Sequence, residues 1–252
     1  AVFQDESGAI PRRYMVAGPS SWKRPTGVEL DHHGALQAAG IGAEYLIITH
    51  RDFSEAAQRL ASWRDQDDRF GPPLRTAVVD VQDIYDEFSG GLLDPAAIRN
   101  FLHYAANNWT PAPLFVVLFG DGSYDYKNNA GTSPGNWIPP YQDNESTYDE
   151  WYVRVIGEDE LPDMAIGRLT VQTVAEAEVV VDKLIDYDRT PESGPWQSRV
   201  LLVADDLVNP SDVTQVEYFF LSDSEYLAYK FLPAGLDLKK HYIAHYPLEG
   251  RT

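Results

Sequence analysis

The sequence predicts an α/β protein built on a parallel sheet, and three observations carry that prediction. Short apolar runs rich in branched and aromatic residues recur along the chain, as strands buried on both faces do. Longer stretches with apolar residues at helical spacing lie between these runs. Glycine, proline and acidic residues separate the two kinds of segment. This alternation is typical of parallel strands joined by helices that cross over the sheet.

The first predicted strand–helix–strand unit begins at Tyr45. The short β-branched run from Tyr45 to Thr49 predicts a strand. Asp52, with Glu55 three residues later, predicts the capped start of a helix. Residues 75–81 predict the second strand, which would run parallel to the first. The predicted buried face of the helix comprises Phe53, Ala56, Ala57, Leu60 and Ala61.

The predicted central strand lies in the middle of the chain. Residues 84–91 are predicted to be a turn-rich connection, because they end in serine and two glycines. Asp94 before Pro95 predicts a helix start, with a side-chain acceptor followed by proline at the first position. Residues 114–119 are six apolar residues without alternation, which predicts a strand buried on both faces. The predicted buried face of the helix comprises Ile98, Phe101, Leu102 and Ala105.

Two more strands and a helix are predicted before residue 190. Residues 151–155 and 165–169 are short apolar runs that predict strands. Thr173 and Glu176 form the sequence of a capping box, which predicts a helix that continues to about Asp188. The predicted buried face of this helix comprises Ala177, Val180, Val181, Leu184 and Tyr187.

A stretch rich in proline at residues 191–195 predicts a boundary between two subdomains. Beyond it, residues 200–204 are predicted to be a buried strand, residues 219–231 a helix and residues 241–246 another strand. One helix with two strands is a poor independent domain, so the second subdomain is expected to be incomplete. The predicted organisation is an extended arm or connector (1–43), a first subdomain (44–190) and the beginning of a second (196–252).

Composition excludes several classes of function. The net charge is −19, from 39 acidic and 20 basic residues, which argues against binding to nucleic acid through its phosphates. No apolar run approaches the roughly 20 residues of a membrane-spanning helix. The chain has no cysteine, which excludes disulfides, thiolate metal sites and a cysteine nucleophile within these 252 residues. In the predicted arm, His32 and His33 have side chains that can ligate a metal, but adjacent side chains of a strand point to opposite faces. A surface or linker role is therefore expected for both.

An acidic loop follows the predicted central strand. Asp121, Ser123 and Asp125 present oxygen atoms at alternate positions, at the strand end where sites of parallel sheets collect. Because Ca²⁺ takes roughly six to eight oxygen ligands, we predict a calcium site at these three residues. The loop lacks the glycine and glutamate of an EF-hand. The alternative is that Asp121 and Asp125 accept hydrogen bonds from backbone N–H groups and so cap the loop.

Two other enzyme or signalling classes have weaker support. Asp205 and Asp206 follow a predicted strand, as the acidic pair of a phosphoacceptor domain does, but too little sequence follows to complete that fold. A glycosidase would need two carboxylates at a defined separation, which sequence does not provide. Aromatic residues of the long loop suit either a sugar cleft or the core of the loop itself. These are Trp137, Tyr141, Trp151 and Tyr152.

Six stretches, in this order, together resemble the gingipain-like cysteine peptidases of peptidase family C25, which include sortase-like relatives of the type IX secretion system. They cover the chain from about residue 45 onward, and the arm matches less specifically. The stretches are YLIITHRDF from Tyr45, VVDVQDIYDEFSGG from Val78, DPAAIRNFL from Asp94, FVVLFGDGSYDYK from Phe115, PDMAIGRLTVQTVAEAE from Pro162 and RVLLVADD from Arg199.

The resemblance implies a caspase-like parallel-sheet sandwich of two adjacent subdomains, here the first and the start of the second. The family's dyad is a histidine in a His-Gly pair after a strand of the second subdomain and a cysteine after the next strand. This chain has no cysteine, and its only His-Gly pair, His33-Gly34, lies in the arm. We therefore carry over no catalytic residue. We expect the catalytic histidine and cysteine to lie beyond Thr252, so that this chain alone is inactive.

The resemblance also implies partners and a location. A protein or peptide substrate, the remainder of the same catalytic domain, stabilisation by calcium and a secreted or cell-surface location are expected. Asp223 would lie in the region that borders the substrate pocket and would face a basic side chain, unless it or Ser222 caps a helix. The alternative function is a homologue without the dyad that serves as a binding or scaffold domain.

Overall fold

The computed structural model describes residues 18–19, 22, 34–69, 71–131, 135–144, 146–205, 208–209, 212–216 and 219–245. His32, His33, most of the predicted arm, Asp206 and the last seven residues lie outside these ranges. Two compact units divide the chain, Ala1–Val181 and Asp182–Thr252. The division falls inside a helix, and the subdomain boundary at residues 191–195 stays a prediction.

The strands and helices are numbered in chain order. The strands are β1 (Tyr45–Thr49), β2 (Thr76–Asp80), β3 (Phe115–Phe119), β4 (Gln142–Asp143), β5 (Ser146–Thr147), β6 (Ala165–Leu169), β7 (Arg199–Ala204), β8 (Val208–Asn209), β9 (Asp212–Val216) and β10 (Asp237–Tyr242). The helices are α1 (Ser54–Arg64), α2 (Val81–Ser89), α3 (Pro95–Asn108), α4 (Val174–Arg189) and α5 (Phe219–Lys230).

A four-stranded parallel sheet forms the first unit, in the order β2-β1-β3-β6. Tyr45 pairs with Thr76 on one side and with Phe115 on the other, and Phe115 pairs with Ala165. The predicted α/β class and parallel sheet are therefore confirmed. β1 and β3 are the two inner strands, as their uninterrupted apolar sequences predict.

Both faces of this sheet are covered. Successive side chains of a strand point to opposite faces, yet Leu46, Ile47 and Ile48 of β1 are all fully buried. Leu46 and Ile48 belong to the core that α2 and α3 complete. Helix α3 begins as predicted, with Asp94 Oδ1 accepting a hydrogen bond from the Ala96 N–H at 2.9 Å. The predicted face of α3 is buried throughout, namely Ile98, Phe101, Leu102 and Ala105.

Two connections differ from the sequence prediction. Residues 84–91 are not a turn-rich connection, because α2 occupies Val81–Ser89 with Asp80 as its N-cap. The glycines belong to the end of this helix, where Gly90 takes the left-handed conformation with φ 64°. Residues 151–155 are not a strand, because a 3₁₀ helix occupies Asp149–Val153 and buries Tyr152 and Val153. Tyr152, Val153 and Val155 are all buried, because this segment packs against the core of the first unit.

Helix ends and helix faces also need corrections. The side chain of His50, rather than Asp52, caps the first helical segment, with its Nδ1 accepting from the Asp52 N–H at 3.2 Å. A 3₁₀ turn then precedes α1, whose predicted buried face is confirmed. On α4, Ala177 and Val181 are buried as predicted, but Tyr187 is 52% exposed and Ile185 takes the buried position.

The second unit has a two-stranded parallel sheet of β7 and β10 with α5 against it. The residues that the structure describes cover only one face of β7, because Leu202 and Ala204 are buried whereas Leu201 and Val203 are 57% and 65% exposed. The prediction of a buried strand at residues 200–204 is therefore wrong for two of its five side chains. β10 begins four residues before the predicted strand and ends at Tyr242. β8 and β9 form a short antiparallel pair.

Candidate functional site

The carboxyl edge of the four-stranded sheet brings the ends of β1, β3 and β6 together. Thr49, at the end of β1, is buried, and its hydroxyl donates to the Phe119 carbonyl at 3.0 Å. Beyond β3, the Gly120 N–H donates to the Leu169 carbonyl, and the Asp121 N–H donates to the Val171 carbonyl. These bonds extend the sheet past the last residues of its strands. The acidic loop is thus anchored where a parallel sheet places its functional residues.

Glycine is required twice where this loop turns over the sheet. Gly120 has a φ of 152°, and a Cβ there would lie 2.8 Å from Cβ of Trp137. A Cβ on Gly122 would collide with the Ile138 carbonyl oxygen. The returning segment bonds to the loop, since the Trp137 and Ile138 N–H groups both donate to the Asp121 carbonyl. The sequence Gly-Asp-Gly therefore allows two backbone segments to touch.

Arg168, near the end of β6, fixes the loop through hydrogen bonds to its backbone. Its guanidinium binds Asp149 in a bidentate pair, with two N–O distances of 2.7 Å. Its Nη1 donates to the carbonyls of Gly120 and Ile138 at 2.9 and 2.8 Å. The side chain is 11% exposed, and the Asp149 side chain is 28% exposed. One arginine thus connects β6, the end of β3 and the 3₁₀ helix that begins at Asp149.

The predicted metal ligands lie on this loop, but hydrogen bonds already engage their carboxylates. Asp121 Oδ1 accepts from the Gly122 N–H at 2.9 Å, and its Oδ2 accepts from Gln172 Nε2 at 2.6 Å. The two oxygens of Asp125 accept from the N–H groups of Asn129 and Ala130 at 2.9 and 2.8 Å. This is the geometry of carboxylates that cap a loop.

The backbone N–H of Ser123 donates to Asn136 Oδ1 at 3.1 Å. Within the part of the chain that the structure describes, no three histidine or acidic side chains are grouped so that they could hold a metal ion. Calcium at Asp121, Ser123 and Asp125 stays a prediction. A pocket of about 260 Å³ lies beside the loop, and Asp121, Asp149 and Arg168 contribute to its lining.

The aromatic residues of the long loop pack mainly on one another. Tyr141 and Trp151 stack in parallel, with ring centroids 3.7 Å apart and planes 6° apart. The Arg99 guanidinium lies 5.1 Å from the centroid of Trp151. Tyr152 is fully buried and donates its hydroxyl hydrogen to the Pro139 carbonyl at 2.5 Å. Trp137 lies against Phe53, with centroids 5.6 Å apart. Most of these rings are therefore packed within the core of the loop rather than exposed as a platform for a sugar.

In the second unit, Asp223 is exposed within α5. Neither Asp223 nor Ser222 caps this helix, because α5 begins at Phe219 and the Ser222 hydroxyl donates back to the Phe219 carbonyl at 3.1 Å. Asp205 follows β7 directly, whereas Asp206 lies outside the described residues. The predicted contact of Asp223 with a substrate stays a prediction.

An ion pair connects α5 with β10 in the second unit. Lys240 of β10 and Glu225 of α5 form an ion pair at 2.8 Å, which holds the pKa of Glu225 below its ordinary value. Burial, with the Glu225 carboxylate beside the ring, raises the pKa of Tyr242 to about 12. The His245 ring lies against Tyr242, with centroids 5.4 Å apart.

Sequence reasoning found the loop but missed two of the side chains that shape it. Arg168 lies in an apolar run, where a charged residue signals a buried partner, yet its partner Asp149 is 19 positions away in sequence. Gln172 has no comparable signal, because an amide after a strand is common. None of the helices that the structure describes is long and apolar enough to cross a membrane.

Comparison with known proteins finds one family. The family model of peptidase family C25 matches residues 39–251. No curated protein sequence matches the chain. Solved structures with similar folds include dimeric latent PorU from Porphyromonas gingivalis, with 28% identity and a TM-score of 0.50 over 62% of this chain and 16% of that one.

Two further solved structures contain gingipain. The complex of the pro- and mature domains of RgpB from Porphyromonas gingivalis has 20% identity and a TM-score of 0.52, and it covers 79% of this chain and 42% of that one. The Arg-specific cysteine proteinase gingipain R (RgpB) has 19% identity and a TM-score of 0.54, over 79% and 41%. At these identities the two likenesses show the fold, and the chain spans less than half of each relative. Because the family match covers most of its length, the chain belongs to peptidase family C25.

Proposed function

We propose that this chain forms the first subdomain, and the beginning of the second, of the catalytic domain of a cysteine endopeptidase or sortase-like transpeptidase. The observation that carries the proposal is a C25 match over residues 39–251 in a chain of 252 residues without cysteine. The nucleophile and its histidine would then belong to polypeptide that follows Thr252. A histidine beside the sulfur keeps it as the reactive thiolate, and backbone N–H groups receive the negative charge of the oxyanion.

The exposed face of β7 supports the presence of further polypeptide. Leu201 and Val203 are more than half exposed, whereas Leu202 and Ala204 of the same strand are buried. A sheet buries an apolar face against another layer, so such a face is suited to a helix or a further segment of the same domain. The remainder of the catalytic domain is the partner we propose for it.

In this proposal the residues of the chain position substrate rather than perform chemistry. Arg168 and the two glycines keep the Asp121 loop in one conformation at the carboxyl edge. Asp223 supplies a carboxylate for a basic side chain of a protein or peptide substrate. The protein is proposed to act outside the cell or at the cell surface, on protein or peptide substrates that it encounters there. Calcium binding at the loop is a separate prediction with its own test.

Extension of the chain tests the proposal directly. We expect the gene to continue past codon 252 into a strand that ends in His-Gly and then a strand followed by cysteine. The purified 252-residue chain should not hydrolyse casein, whereas the extended protein should, and iodoacetamide should abolish that activity. Alanine in place of the downstream cysteine is the matched control. Hydrolysis by the short chain, or an extended protein whose activity iodoacetamide leaves intact, would overturn the proposal.

A binding or scaffold domain without the dyad is the alternative. No contact among the described residues favours it over the peptidase. An extended gene that lacks both the His-Gly pair and the cysteine would establish the alternative.

A further inference from the structure

An open cleft of about 570 Å³ lies on the first unit, beside the first turn of α3. Helix α3 leads into the amino end of β3, so its own first turn lies at the carboxyl edge of the sheet. The cleft is lined by three aromatic side chains, by two amides and by a carboxylate at the helix end. These are Tyr126, Tyr141, Trp151, Gln142, Asn144 and Asp94.

Two of the three aromatic rings of this cleft, Tyr141 and Trp151, are held rigidly. Tyr141 covers one face of Trp151 in a parallel stack at 3.7 Å, so the Arg99 guanidinium at 5.1 Å occupies the other face. Arg99 is itself fixed, since its Nη2 donates to the Arg154 carbonyl at 2.5 Å. With both faces covered, Trp151 is left with the edge of its ring for contact with a ligand. A rigid aromatic wall loses little entropy when it binds a ligand.

Hydrogen-bonding groups along this wall have no partner within the described part of the chain. The indole N–H of Trp151 and the hydroxyls of Tyr126 and Tyr141 make no hydrogen bond there, although all three residues are half-buried. Such donors suit a row of carbonyl oxygens. A polyproline II segment presents its carbonyls in this way, because it has no internal hydrogen bonds. Proline rings also pack into grooves lined by aromatic residues.

Asp94 adds a charge at one end of the cleft. Its Oδ1 caps α3, whereas its Oδ2 accepts no hydrogen bond from the residues that the structure describes. The chain as a whole carries a net charge of −19. A carboxylate in this position attracts a basic side chain of a ligand.

We propose that this cleft binds an extended, proline-containing peptide segment with a basic residue at the Asp94 end. A sugar is a less suitable occupant, because sugars stack on ring faces and both faces of Trp151 are taken. The inference goes beyond the proposed function, since binding here needs neither a cysteine nor the remainder of the domain. Its failure would therefore leave the peptidase proposal standing.

Titration calorimetry of the 252-residue chain with synthetic peptides tests the proposal. The probes are an acetylated proline decamer, the same decamer with a carboxyl-terminal arginine, and a glycine-serine decamer as the control. We expect saturable binding of both proline probes and none of the control. The arginine should tighten binding about two- to fivefold at low salt, and 0.5 M sodium chloride should remove that gain.

Four variants locate the binding. Tyr126→Ala should weaken binding of the proline decamer at least about fivefold. Tyr141→Phe, which keeps the ring stack, should weaken that binding less. Tyr229→Ala removes a tyrosine that is 89% exposed on α5, and it should change nothing. Asp94→Asn should remove only the gain from arginine, because asparagine also caps a helix.

Several results would overturn the proposal. They are an absence of saturable binding by the wild-type chain, equal binding of the glycine-serine decamer, and an equal loss in the Tyr229→Ala variant. Saturable binding of maltotriose or chitotriose without binding of proline would identify a sugar cleft instead. Circular dichroism of each variant separates lost binding from lost folding.

Discussion

β1 and β7 have similar sequences but different surroundings. Leu46, Ile47 and Ile48 of β1 are completely buried, because helices cover both faces of the four-stranded sheet. Leu202 of β7 is 8% exposed, yet its neighbour Leu201 is 57% exposed. An uninterrupted apolar run is typical of a strand covered on both faces. The sequence of β7 thus indicates a second covering layer that the described residues do not supply, whereas β1 has both of its layers.

The largest effect is expected in the closed core of the first unit. Phe101 is fully buried and packs edge-on against Trp109, with centroids 5.4 Å apart. Phe101→Ala should lower the free energy of unfolding by about 3–5 kcal/mol, through lost burial and the cavity it leaves. Urea denaturation followed by tryptophan fluorescence measures the change. A loss below about 1 kcal/mol would mean that this core is not close-packed.

The loop at the carboxyl edge is expected to depend on Arg168 almost as strongly. Arg168→Met removes four hydrogen bonds and leaves Asp149 without its cation, so we expect a loss of about 3 kcal/mol in the same assay. Arg59→Met is the matched control, because the Arg59–Glu178 pair has side chains that are 42% and 33% exposed. That control should cost less than about 1 kcal/mol. Equal losses in the two variants would contradict the role of Arg168.

The exposed face of β7 gives a smaller effect that depends on the length of the chain. Leu201→Thr introduces a β-branched side chain, which suits a strand, and in the 252-residue chain it should change stability by less than about 0.5 kcal/mol. In a protein extended past Thr252, the same substitution should cost about 1–2 kcal/mol, because Leu201 would then be covered. Equal, small effects in both proteins would show that the added polypeptide leaves this face open.

The contrast between the units also explains which predictions succeeded. The sequence predicted the positions of β1, β3, β6 and α3 closely. In β1 and α3 the apolar pattern matches burial that the first unit completes, whereas β6 has no fully buried side chain. It failed for residues 84–91, where two glycines after α2 indicated a turn, although the spacing of Val81, Ile84 and Tyr85 is that of a buried helix face. It failed for β7 because the burial of a strand depends on which layers cover its two faces, and the apolar pattern of the strand does not show whether those layers are present.

The candidate site was predictable in position but not in its contacts. Gly120, Asp121 and Gly122 after an apolar strand indicated a tight acidic loop at a sheet edge, and the structure has one there. The partners of its charged groups come from distant segments, as the pair of Arg168 with Asp149 shows. Such pairs depend on how the long loop folds back, which no local pattern contains.

Two carboxylates, one in each unit, should respond to pH in opposite ways. Burial, followed by repulsion from Asp80, Asp86 and Glu87, raises the pKa of Asp83 above 3.8. The folded state then holds that proton more tightly than the unfolded state, so stability falls as pH rises from 3.8 through the folded pKa. Asp83→Asn should therefore raise the melting temperature at pH 7 and give no gain at pH 3.

Asp237 provides the opposite case in the second unit. Hydrogen bonds from Lys239 and Arg199 lower its pKa below 3.8, so its contribution is present at neutral pH and is lost as pH falls through the folded pKa. Asp237→Asn should lower the melting temperature at pH 7. Melting curves of both variants against pH measure these shifts. Shifts of the same sign at pH 7 would contradict the assignment.

Calcium is expected to have the smallest effect, because hydrogen bonds already complete the loop of the first unit. Both oxygens of Asp125 accept backbone N–H groups, so a calcium ion would have to displace bonds from Asn129 and Ala130. A site whose dissociation constant is one hundredth of the added calcium would add about 2.7 kcal/mol to stability. The predicted site should therefore give only a small rise in melting temperature in millimolar calcium relative to EDTA, and Asp125→Asn should remove that rise. Equal melting temperatures of the wild-type chain in EDTA and in calcium would contradict the predicted site.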